Sequence, residues 1–188
     1  MIAPAASLLG LPRQPAYGRK PALVLVNGLA EQAETWFRNV RAWRRRFDVH
    51  APNILCYGGA ALHRRIAEGL PIDVDYLVGQ LHAYLESFVQ APPYFLVGSS
   101  MGGKVVVEYA VRHPEQAARL VLLCPSGLGD EEHLPIVDGV RRNDVRALVH
   151  SVFYDARAAD RDLLRYYHER FTDRRWRLGL LRTVRGTM

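Results

Sequence analysis

The chain has 188 residues, 49% of them hydrophobic, which is enough for one domain with a real core and too apolar for a disordered chain. Its net charge of +6 comes largely from two arginine-rich stretches, Arg41 to Arg46 and Arg157 to Arg185. The first fits a solvated helix face with Trp43 and Phe47 turned to the core, and the second is interleaved with Asp160, Asp162, Glu169 and Asp173, so the charge does not read as a nucleic-acid surface. Cys56 and Cys124 lack the spacing of a disulfide framework or a zinc site, and Cys124, ending an apolar run, is expected to be a buried thiol. No apolar stretch reaches the length of a membrane span. Met1 to Leu11 has no basic leader and is interrupted by Pro4, so a signal peptide is not expected and a cytoplasmic location is.

Residues 1 to 20 carry little periodicity and read as an irregular lead-in with a short edge strand. Ala22 to Val26 is a continuous apolar run of strand length, stopped by Asn27-Gly28, as suits a strand buried on both faces. Glu34 to Phe47 has helical spacing through Trp36, Val40, Trp43 and Phe47. Asp48 to Pro52 reads as a second short strand and Asn53 to Gly59 as a turn-rich loop. A helix is predicted over Asp73 to Gln90, capped by Asp73, with Val74, Leu77, Leu81, Leu85 and Phe88 on one face.

Tyr94 to Val97 is the third strand. The helix that follows runs to Arg112, before His113-Pro114, and its Val105-Val106-Val107 run implies support by packing on a sheet. Arg119 to Cys124 is the fourth strand, stopped by Pro125-Ser126-Gly127. Strands alternating with helices form the βαβ pattern of an open parallel sheet covered on both faces. After Gly129 the pattern is charged, amphipathic and helical, with no further strand. Residues 1–129 thus read as a core segment and 130–188 as a helical segment.

Between the third strand and its helix lies Gly98-Ser99-Ser100-Met101-Gly102, a G-x-S-x-G sequence in a strand–turn–helix context. Such a turn throws its central serine out at the carboxyl end of the strand, making Ser100 a candidate covalent nucleophile. Gly98 and Gly102 let strand and helix approach closely. An oxyanion formed there needs backbone donors: the N–H of Met101, next to the nucleophile, and one from the loop after the first strand, where Gly28 turns the backbone inward and makes Leu29 the candidate.

These segments, with Leu23 to Leu29, Ala51-Pro52-Asn53, Tyr57-Gly58, Phe95 to Gly103, His113-Pro114-Glu115 and Leu120 to Leu128 in order, resemble the α/β-hydrolase superfamily. The resemblance implies a parallel α/β-hydrolase sheet with flanking helices, a helical cap from Glu131, and hydrolysis of an ester or related acyl substrate through an acyl-serine, with no cofactor, metal or nucleic acid. The alternative is a non-catalytic binding module on the same scaffold. Asn27 stands where the family often has His, Ser99 where it commonly has His or another polar group, Asn53 where it usually has Asp, and Lys104 where small or apolar residues are common.

The resemblance also places an acid and a histidine beyond two further strands, and no such loops follow here. The sequence therefore reads as the amino-terminal half and cap of a longer enzyme, nearly inactive alone. Of the histidines after Ser100, His113 ends a helix away from the site, and His133, His150 and His168 are expected to be structural or solvated, as are Asp138, Asp144 and Asp155. Leu134, Ile136, Val137 and Phe153 suggest an apolar or aromatic acyl pocket.

Overall fold

In a computed structural model the structure describes residues 20–89, 92–128, 135–146, 154–155, 157 and 161–187. The expected lead-in strand before residue 20 lies outside them. The chain runs β1 (Ala22–Val26), a 3-10 turn (Ala33–Trp36), α1 (Phe37–Trp43), β2 (Asp48–His50), α2 (Ala60–Ala67) and α3 (Val74–Tyr84). It continues through β3 (Tyr94–Ser99), α4 (Met101–Arg112), β4 (Ala117–Leu123), α5 (Pro135–Arg142), α6 (Arg161–Thr172) and α7 (Arg174–Thr187). The strands form one parallel sheet in the order β2-β1-β3-β4.

The period of two in β1 divides the core. Ala22, Val24 and Val26 face a large apolar cluster with α3, α4, α6 and α7, while Leu23 and Leu25 face a smaller one built on Trp36 and Val97. Trp43 and Phe47 pack against that second cluster, leaving Arg41 and Arg44 to Arg46 exposed. A strand with helices on both faces has no polar side, which is why β1 reads as an uninterrupted apolar run.

Asp73 caps α3 as expected, its Oδ1 accepting the Tyr76 N–H at 2.9 Å. Two expectations fail. Phe88 does not join the core face of that helix but is 70% exposed, and Val89 is buried instead. The helix ends in a π turn over Leu85–Val89, whose wider winding inserts one residue and moves the apolar stripe on by one position. Cys124 is exposed, not buried, because β4 lies at the edge of the sheet. Its apolar residues Leu120 to Leu123 are each about as exposed as a surface strand allows, Val121 at 48%.

Helix α2 buries Leu62 and packs Ile66, one turn on, against the main core. It is held from outside: His63 Nε2 lies 3.0 Å from the Tyr57 carbonyl and 2.9 Å from the Arg175 carbonyl, tying α2 to the start of α7. Gly179 in α7 sits directly against the Tyr57 carbonyl, and Tyr57 and Trp176 pack edge to face at 5.3 Å. Among the described residues no helix is long and apolar enough to cross a membrane.

Candidate active site

The carboxyl ends of β1 and β3, the two central strands, carry two loops that meet. Residues 98–103 form the first. Ser100 sits at the junction of β3 and α4 with φ 49° and ψ −118°, in the left-handed half of φ space that a side chain normally avoids. Such a conformation costs of order 1–3 kcal/mol and persists only where its surroundings enforce it. Here they do. The Ser100 N–H donates to the Leu123 carbonyl at 2.9 Å, and the Ser100 carbonyl accepts from Gly103 N–H at 2.9 Å and Ser126 N–H at 3.1 Å.

Steric closeness does the rest. A Cβ on Gly98 would meet the Gly102 carbonyl oxygen at 2.5 Å and the Gly103 Cα at 2.6 Å. A Cβ on Gly102 would collide with the Val26 carbonyl oxygen and meet that of Asn27 at 2.7 Å. Helix α4 therefore starts against the end of β1, closer than any side chain allows. Ser100 is half-buried, and its hydroxyl makes no hydrogen bond among the described residues. Met101 is the first residue of α4, so its N–H belongs to the turn whose amides have no intrahelical acceptor.

Residues 27–31 form the second loop. The Gly28 N–H donates to Glu31 Oε2 at 2.8 Å, and the Glu31 N–H donates to the Gly28 carbonyl at 3.3 Å. Ala30, itself at φ 63°, donates its N–H to the Tyr57 hydroxyl at 3.0 Å. The Asn27 side-chain amide donates to the Glu31 carbonyl at 3.1 Å. Of the four amides from Gly28 to Glu31, only that of Leu29 is without an acceptor among the described residues. The loops touch at Gly28, where a Cβ would lie 3.1 Å from the Ser100 Cβ and 3.1 Å from Glu31 Oε2.

Glu31 was not singled out in the sequence, and no motif marks it. Removal from water pushes its carboxyl above the ordinary carboxylate range, an effect the Gly28 N–H only partly offsets. Burial drives the Tyr57 and Tyr167 hydroxyls far above the usual phenol range, with Glu31 adding to both, and Tyr166 is pushed up to about 12 by burial. Tyr166 and Tyr167 belong to α6, and from Tyr167 the aromatic contacts continue edge to face to Phe171 and tilted to Trp176 of α7.

The departures at Asn53 and Lys104 acquire structural roles. Asn53 Oδ1 accepts the Ala33 N–H at 2.8 Å, a bond an aspartate oxygen would make equally well. Lys104 Nζ donates to the Thr187 carbonyl at 2.9 Å, so the cation that opposes one helix dipole in α4 caps the carboxyl end of another, α7.

His113 stacks on His82, ring centroids 4.6 Å apart, at the far end of α4. Twelve residues of helix separate it from Ser100, about 18 Å. His168 is exposed on α6, and Asp155 pairs with Arg157 at 2.9 Å. His133, His150, Leu134 and Phe153 lie outside the described residues, as do the side chains of Ile136 and Asp138. Val137 packs on the main core.

Human monoacylglycerol lipase ABHD6 is 30% identical over 112 residues, covering 59% of this chain and 32% of the relative. An Arabidopsis thaliana 1-acylglycerol-3-phosphate O-acyltransferase is 28% identical over 111 residues, covering 59% of this chain and 26% of that one. The chain thus aligns with about a third or less of the length of these relatives. Among solved structures, the 2-hydroxy-6-oxo-6-phenylhexa-2,4-dienoate hydrolase of Rhodococcus sp. strain RHA1 superposes with a TM-score of 0.67 at 20% identity, over 90% of this chain and 65% of that one. A serine hydrolase from the polyaromatic-hydrocarbon-degrading bacterium Cycloclasticus zankles superposes with a TM-score of 0.69 at 20% identity, over 90% and 64%. The sequence pattern of the alpha/beta hydrolase fold matches residues 21–188, and the chain belongs to that family.

Proposed function

We propose that this chain carries the nucleophile and oxyanion hole of a serine hydrolase acting on an acyl ester. The supporting observation is the enforced positive φ of Ser100, at the mouth of β3 and against the β1 loop. In the proposed reaction Ser100 Oγ bonds to the ester carbonyl carbon as the carbonyl electron pair moves onto oxygen. The Met101 and Leu29 N–H groups hold that oxyanion. Its collapse breaks the bond to the alcohol and leaves an acyl-serine, and water then repeats the attack to release the acid. The serine proton passes to a base and from it to the leaving alcohol; no histidine is in hydrogen-bond contact with Ser100 among the described residues.

The lipase and acyltransferase relatives are both named for acylglycerols, so the proposed substrate is the acyl ester of a glycerol lipid. The test is prolonged treatment with a fluorophosphonate, followed by peptide mass mapping. Phosphorus–oxygen bond formation at Ser100 with loss of fluoride is expected. Modification of Ser99 instead, or an adduct that survives Ser100→Ala, sinks the proposal. A binding module on this scaffold would retain a lipid ligand and form no adduct.

A further inference from the structure

The loop after β1 has an internal carboxylic acid at an unusual place. Glu31 reaches back three residues to take the Gly28 N–H, while its own N–H and carbonyl bind the Gly28 carbonyl and the Asn27 side chain. The same glycine contacts Ser100, so the carboxyl and the nucleophile flank one residue. Resting on the reading of Ser100 and Leu29 above, we propose that Glu31 is a positioning residue: it draws the Gly28 amide away from the reaction centre, leaves the Leu29 amide without an acceptor among the described residues, and tunes the hole through its own charge.

The tuning follows from electrostatics. An ionised carboxylate beside a developing oxyanion repels it, and does so strongly where water is excluded. A neutral carboxylic acid does not, yet its carbonyl oxygen still accepts the Gly28 N–H. Among the described residues, two phenols interact electrostatically with Glu31. Tyr57, from the loop before α2, and Tyr167, from α6, are held neutral by burial well beyond the carboxylate range. Tyr166, the next residue along α6, is likewise pushed up to about 12 by burial. Desolvation raises the Glu31 pKa, so the neutral form extends above the acid range where an exposed glutamate would already be charged.

The experiment follows two readouts on the full chain and its Glu31→Gln and Glu31→Ala variants. The first is the Gly28 amide resonance against pH. In the parent it shifts as Glu31 ionises, with a midpoint above the ordinary carboxylate range; in Glu31→Gln, whose carboxamide oxygen still accepts the bond, it does not. The second is the rate of fluorophosphonate adduct formation at Ser100. Glu31→Ala slows it roughly 10-fold to 100-fold, approaching the effect of losing an oxyanion donor. Glu31→Gln matches the parent at acid pH and outpaces it once the parent's carboxyl has ionised. A Gly28 amide that ignores pH in the parent overturns the proposal. So does a Glu31→Ala chain that melts like the parent and labels at its rate. If Ser100 takes no adduct in the parent, the nucleophile reading falls, and the Gly28 amide still decides whether Glu31 holds the loop.

Discussion

Two loops meet at the mouth of the sheet, and they are held by different physics. The turn at Ser100 is fixed by what cannot fit: a Cβ on Gly98 or Gly102 would fall on backbone atoms of Gly102 and Gly103 or of Val26 and Asn27. The loop at Gly28 is fixed by what is bonded: a carboxyl, a phenol and a carboxamide take up its polar groups one by one. A steric turn has one solution and resists change abruptly. A bonded loop degrades by increments and responds to pH, because one of its struts is an acid.

That contrast can be broken in order of size. Ser100→Ala should abolish adduct formation, as the loss of a serine nucleophile can cost on the order of 10⁶ in rate, and should leave the melting temperature nearly unchanged. Gly102→Ala should destabilise the fold by about 3 kcal/mol, at the upper end of overpacking costs, since the new methyl meets carbonyl oxygens at the end of β1 rather than a flexible side chain. Urea denaturation measures this, and a neutral result would remove the steric account of the elbow.

Tyr57→Phe keeps the packing on Trp176 but strips the Ala30 N–H of its acceptor, for a cost of about 1–3 kcal/mol in the same denaturation experiment. The smallest effect belongs to Glu31. Its carboxyl binds a proton more tightly folded than unfolded, so its contribution to stability is fully present below the unfolded pKa and declines as pH rises through the folded one. Thermal melts across that window should show the parent losing ground to Glu31→Gln as pH increases. Parallel curves would show that the carboxyl is not desolvated in the folded chain.

How much of this was legible in the sequence divides along the same line. The elbow is written in residue types, because only glycine fits beside Ser100, and the fully buried β1 announces itself as five apolar residues in a row. Leu29 follows from its neighbour Gly28 only as a candidate donor. Glu31 could not: nothing in a polar loop residue says that its side chain will fold back on an amide three positions earlier. Phe88 was misplaced because helical spacing assumes 3.6 residues per turn and a π turn breaks that count. Cys124 was misplaced because β4 has the same apolar composition as β1, and composition does not say which strand lies at an edge.

Lys104 bears on how distant parts of the chain are joined. The elbow is built from β3 and α4 against the end of β1 and the residues that follow β4. The bond from Lys104 to Thr187 closes a span of 83 residues, with Gly127 pressed against the same side chain. Contacts so distant in sequence carry a high closure entropy. The nucleophile's helix is thereby latched to the last described helix of the chain.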